Sequence, residues 1–201
     1  KNGWMGDAQV IMETALYNFD MTGLLEKWAC DMRDCMRNDG FMPEMVPTGG
    51  EDWGMAHAPE WNSAYISTMV YLNQNCGNKS FTKEHYQALL KYGEHEIQEL
   101  KDYISNSVLS DWASVGSDPH DGKPGHGCCA PEGGTLTSTA YAYWIFRNIS
   151  QIAKDMNDTP TAEKYSDVAR KVKNAFNKIF YDDANGFYVT DIPAGDRKSV
   201  V

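Results

Sequence analysis

The residues best equipped for chemistry stand at the start of the chain, in Gly3-Trp4-Met5-Gly6-Asp7, which runs directly into a helical pattern from Ala8 to Phe19. Two glycines around a tryptophan free the backbone to turn tightly and to approach a ligand closely, and Gly6-Asp7 sets a carboxylate at or near the N-cap of the helix. An indole and a carboxylate held side by side at a helix mouth suit a sugar. The apolar face of a pyranose stacks on the indole, and its hydroxyls donate to carboxylate oxygens. The plainer reading is that Asp7 caps a helix and Trp4 packs beneath it, and for the motif alone the two readings have about even weight.

Other residues invite a chemical role less strongly. Glu60 and Glu132 each lie where an irregular stretch meets a helix and have the chemistry of a catalytic acid, but a Glu in a first helical turn more often serves the helix dipole. His57 is equally compatible with a sugar contact and a loop filling. His120, His126, Cys128 and Cys129 share one Gly- and Pro-rich tract, yet their spacing matches no zinc signature, and no metal or other cofactor is expected. Ser138 has no His and acid at a recognisable spacing, so no nucleophilic triad is expected.

Composition narrows the partners. A net charge of -10 over 201 residues, with no Lys/Arg cluster, excludes nucleic acid and an anionic membrane as expected partners. No apolar run reaches the length of a membrane span. Five cysteines, odd in number and mostly within helical patterns, do not read as a disulfide framework.

The elements that must position these residues are all helical until the last twenty residues. After the first helix, Leu24, Leu25, Trp28, Ala29, Met32, Cys35 and Met36 recur at helical spacing up to Arg37-Asn38-Asp39-Gly40. An irregular stretch leads to a third helix near Pro59-Glu60-Trp61, with Pro and Glu in first-turn positions. A fourth runs from about Thr82 to Ile104, and a second long irregular stretch, from Ser105 to about Glu132, carries Asp111-Trp112 and leads to a fifth through Ala140-Phe146. The sixth enters through Asp158-Thr159-Pro160 and ends near Phe180. Asp183-Ala184-Asn185-Gly186-Phe187-Tyr188 then reads as a turn and short hairpin.

Helices apolar all round (first, third, fifth) alternate with helices that have one wet face (second, fourth, sixth), and every long loop leads from a one-faced helix into an all-apolar one. This is the pattern of an inner and an outer ring of helices, with all long loops on one rim. Those loops carry tryptophans near their ends, Trp53, Trp61 and Trp112, as functional loops do.

Four motifs taken in order carry a resemblance: Gly3-Trp4-Met5-Gly6-Asp7-Ala8-Gln9, Pro59-Glu60-Trp61-Asn62-Ser63-Ala64, Asp111-Trp112, and Thr137-Ser138-Thr139-Ala140-Tyr141. Over essentially the whole chain they resemble the catalytic (α/α)6 barrel of bacterial α-L-rhamnosidases, glycoside hydrolase family 78. The resemblance implies an all-α fold, a partial (α/α)6 toroid of about three helical hairpins. It implies one partial catalytic domain over 1–201, the N-terminal half of such a barrel, with 182–201 as a tail toward further helices. It also implies an inverting glycosidase whose general acid would occupy the position just before Lys1 and whose general base would lie downstream of Val201. This chain would then supply substrate-binding residues only. Trp4 and Asp7 match sugar-contacting positions, Trp61 an aromatic wall of the subsite, and Asp111 and Trp112 an acidic-aromatic pair, with His57, Glu60 and Glu132 as further candidates. The expected partner is a rhamnose-containing glycoside or polysaccharide. Two departures fall at Asn62-Ser63, where the family has Gly-Asp, and at Ser110, where it has Gly.

Two alternatives stand beside this reading: another six-hairpin glycosidase or (α/α) polysaccharide lyase, and a non-catalytic carbohydrate-binding helical module. A half-toroid would leave apolar sides of Val10–Phe19 and Ala140–Phe146 bare along open seams. The isolated chain is therefore expected to form a homo-oligomer.

Overall fold

The computed structural model describes residues 2–48, 56–77, 79–107, 109 and 134–189. Asp111, Trp112 and Glu132, with Trp53 and the His120–Cys129 tract, lie outside the described residues.

Among the described residues the chain forms α1 (Met5–Asn18), α2 (Thr22–Cys35), the single turn α3 (Pro59–Asn62), α4 (Ala64–Cys76), α5 (Lys79–Gln98), α6 (Gly134–Asp155) and α7 (Thr159–Phe180), then a two-stranded hairpin, β1 (Tyr181–Asp182) with β2 (Phe187–Tyr188). In one row, α1 packs on α3 and α4, and α4 on α6. Behind it, α2 packs on α4 and α5, α5 on α6, and α7 on α6. This is an arc of a two-layered toroid, as the alternation of helix types predicts.

The core lies between the rows. Tyr65, Ile66, Met69 and Leu72 of α4 are fully buried, as are Ala29 and Met32 of α2, Leu89 and Tyr92 of α5, Ala142, Ile145, Phe146 and Ile149 of α6, and Val172 of α7. Asp158 caps α7 by accepting from the Thr161 amide at 3.2 Å, and its other oxygen accepts from the Tyr86 hydroxyl at 2.9 Å. Gly77, at φ +65°, closes α4 in the left-handed conformation that a helix C-terminus favours.

The structure corrects several expectations. Helix α5 ends at Gln98 rather than Ile104, because Lys101 and Ile104 exchange backbone hydrogen bonds at 2.9 Å around Asp102 and Tyr103, both at positive φ. That tight turn buries Ile104, and Tyr103 lies beneath the Lys171 ammonium at 5.4 Å. The expected third helix is two: Ser63 interrupts it, and the Ser63 hydroxyl donates to Gln9 Oε1 at 2.7 Å. Nor is α1 buried all round, since only Met5, Gln9 and Met12 are covered. Val10 is 75% exposed, Ile11 59%, Tyr17 71% and Phe19 70%. In α6 the stretch from Ala140 to Phe146 is only partly bare: Ala142, Ile145 and Phe146 are buried, Tyr141, Tyr143 and Trp144 half-buried, and Ala140 exposed. Arg147, Gln151 and Lys154 complete a wet face that the apolar run conceals in sequence.

Candidate active-site rim

The N-termini of α1, α3 and α6 share one rim, and the opening motif is fixed to it by backbone pairing. Gly3 accepts from the Val46 amide at 2.7 Å, the Met5 amide donates to the Glu44 carbonyl at 2.9 Å, and Trp4 forms an antiparallel bridge with Met45. The close approaches that the glycines permit are to the protein itself. A Cβ on Gly3 would lie 2.1 Å from the Val46 carbonyl oxygen, and one on Gly6 would lie 2.7 Å from the Trp61 ring. These contacts require glycine at both positions and account for the spacing of the motif.

Trp4 and Trp61 meet edge to face, with ring centroids 5.1 Å apart, in a small cluster with Ala58 and Leu109. Trp4 stays half-exposed, whereas Trp61 keeps only 9% of its surface. Asp7 is exposed in the first turn of α1, where its charge complements the helix N-terminus, while Trp4 itself occupies the N-cap position without a side-chain cap bond. Trp4 and Asp7 therefore stand about one turn apart at the same helix mouth.

Behind this wall the departing residues have structural work. Asn62 donates to the Met42 carbonyl at 3.3 Å and accepts from the Tyr92 hydroxyl at 3.0 Å, while Ser63 holds Gln9; both are fully buried. Glu60 is buried in the first turn of α3 and accepts from the Ser107 hydroxyl at 2.5 Å, and that hydroxyl accepts from the Leu109 amide at 3.1 Å. Ser138 is buried too and donates to the Ser105 carbonyl at 3.0 Å.

His57 is a tether. Its Nε2 lies 3.1 Å from Glu96 Oε2 and its Nδ1 3.2 Å from the Asn106 carbonyl, with 14% of the side chain exposed. Both partner atoms only accept, so both ring nitrogens must donate and the ring is an imidazolium. Burial opposes that charge, but the Glu96 carboxylate outweighs it and lifts the His57 pKa to about 9. The Asn106 side chain accepts in turn from the Thr135 hydroxyl at 2.7 Å, which carries the tether from α5 to the start of α6.

The sequence reading missed Glu44. Its side chain is 3% exposed, and burial, reinforced by the charge of Glu60, raises its pKa to about 7. The available signal was a carboxylate set inside the apolar run Phe41-Met42-Pro43-Glu44-Met45-Val46. Further along, α1, α4 and α6 contribute Gln9, Ser67, Tyr71, Tyr141 and Trp144 to an open pocket of about 300 Å³.

Comparison with known proteins agrees with this architecture. A solved structure of the alpha-L-rhamnosidase from Dictyoglumus thermophilum superimposes with a TM-score of 0.78 at 36% identity, over 90% of this chain and 19% of that one. The Streptomyces avermitilis alpha-L-rhamnosidase, solved in complex with L-rhamnose, matches 94% of this chain and 17% of its own with the same TM-score at 20% identity, and so shows the fold alone. An alpha-L-rhamnosidase of Formosa agariphila is 26% identical over 199 residues, covering 90% of this chain and 19% of the relative. The chain thus spans about a fifth of the length of the relatives it matches. The family model of the bacterial alpha-L-rhamnosidase six-hairpin glycosidase domain matches residues 1–196, and the chain belongs to that family.

Proposed function

We propose that this chain forms the sugar-facing N-terminal half of a glycosidase domain that hydrolyses terminal α-L-rhamnosides with inversion. The observation that carries the reading is the Trp4–Trp61 pair with exposed Asp7 at one helix mouth. Trp4 offers the indole face for stacking, Trp61 stiffens it from behind, and Asp7 accepts sugar hydroxyls whose bonds tighten as the ring flattens toward an oxocarbenium ion. Asp111 and Trp112, which lie outside the described residues, are assigned to the same subsite on the family resemblance alone. On this reading the proton donor and the base that activates water are carboxylates that this chain does not supply. His57 and Glu60 support the wall, since both His57 nitrogens are engaged by Glu96 and Asn106 and Glu60 Oε1 by Ser107.

Taken alone, the chain associates with itself through the bare surface of α1 and its C-cap, a homo-oligomer that buries Val10, Ile11 and Tyr17 with Phe19 just beyond the helix. The activity is tested with a protein carrying the complete domain. It should release rhamnose from a chromogenic α-L-rhamnoside and leave uronic-acid substrates intact. Turnover of the uronides without the rhamnoside would assign the ring of helices to a different chemistry.

A further inference from the structure

Away from the rim, on the outer side of the arc, α2 and α5 bring Cys30, Glu84 and His85 together. One donor atom from each lies within 4.8 Å of the other two. Cys30 Sγ and His85 Nε2 are 3.7 Å apart, close to the edge that a tetrahedral ion spans with a sulfur at about 2.3 Å and an imidazole nitrogen at about 2.0–2.1 Å.

His85 is built as a ligand would be. The ring is fully buried and packs on Phe81 with centroids 4.4 Å apart, which blocks rotation. Its Nδ1 lies 2.9 Å from the hydroxyl of Tyr65, also fully buried, so the remote nitrogen is held by an outer-shell partner and Nε2 points at Cys30. Cys30 is half-buried and Glu84 exposed, which gives an entry path from solvent. Arg33, 3.0 Å from Glu84 Oε1, occupies the carboxylate that a cation would take.

We propose that Cys30, His85 and Glu84 form a site for a thiophilic divalent cation of the zinc class, with a fourth position for water, stapling α2 to α5. Binding turns the Cys30 thiol into a thiolate, releases that proton to solvent, and moves Arg33 off Glu84. Sequence spacing conceals the site, because Cys30 and His85 are 55 residues apart and adjoin only through helix packing.

Cobalt(II) added to the reduced chain tests this. The Cys128→Ser/Cys129→Ser variant should bind one equivalent, with tetrahedral visible bands and a thiolate-to-metal charge-transfer band that zinc abolishes by displacement. Cys30→Ser in that background should remove the charge-transfer band. Tyr65→Phe should weaken binding about 10–100-fold at unchanged stoichiometry, and Arg33→Gln should tighten it. In the unsubstituted chain, zinc should slow alkylation of Cys30, read by peptide mass, independently of how any variant folds. No charge-transfer band, a band indifferent to Cys30→Ser, or a Cys30 alkylation rate unchanged by zinc would overturn the site, leaving a thiol–imidazole hydrogen bond beside a surface ion pair. None of these readouts involves rhamnoside hydrolysis.

Discussion

Two glycines in helices separate steric need from conformational habit. A Cβ on Gly6 would sit 2.7 Å from the Trp61 ring, whereas one on Gly23 in α2 meets nothing within 4 Å. Gly6→Ala should destabilise the chain by about 1–3 kcal/mol and shift the tryptophan fluorescence, and Gly23→Ala should stabilise it by about 0.5–1 kcal/mol, both read by urea unfolding. Two buried groups contribute to the pH dependence in the neutral and alkaline range. His57 has its pKa raised from 6.5 to about 9, and Glu44 from 4.5 to about 7. For each, the protonated form is favoured by folding, so its contribution is complete below the unfolded value and lost as pH rises through the folded one. Stability should therefore fall in two stages, between about pH 4.5 and 7 for Glu44 and between about 6.5 and 9 for His57. Glu44→Gln should flatten the first stage and His57→Gln the second, while lowering stability at pH 6 by about 3 kcal/mol because Glu96 loses its counter-ion. Of these residues, Trp4 and Asp7 could be paired from the sequence because they sit in one short motif. The Trp61–Gly6 contact, the His57–Glu96 pair and the Glu44–Glu60 coupling join segments that only folding brings together.

At the scale of elements, a boundary was legible where its own residues hold it and hidden where residues distant in sequence do. Asp158-Thr159-Pro160 places a cap and a proline where α7 begins, and the Asp158 side chain accepts the amide bond such a sequence predicts. Asp158→Ala should cost about 0.5–2 kcal/mol and lower the thermal midpoint, and a larger loss would measure the additional bond from Tyr86. The end of α5 was illegible. Asp102 is a common turn residue, but Tyr103 at positive φ is not, and what holds the turn is the packing of Ile104 and the contact between Tyr103 and Lys171. The break at Ser63 was hidden for a similar reason, since its partner Gln9 lies in a different helix.

At the scale of the whole molecule, alternation of all-apolar and one-faced helices was enough to anticipate an arc of two rows. It overstated the burial of α1, because covering the second side of that helix takes a neighbour that the described residues do not include. The bare face should make the isolated chain self-associate at micromolar concentration, seen as a light-scattering mass of two chains or more. Val10→Lys with Ile11→Lys should return it to a monomer. A cooperative monomer without those changes would mean that the face tolerates water. The central claim remains that the mouth of α1 binds the sugar as it approaches its transition state. The most direct measurement is kcat/KM for an aryl α-L-rhamnoside with Asp7→Asn in a protein carrying the complete domain. A drop of about a hundredfold or more, on the order of 3 kcal/mol, is predicted; wild-type kinetics would leave Asp7 as no more than a charge at a helix end.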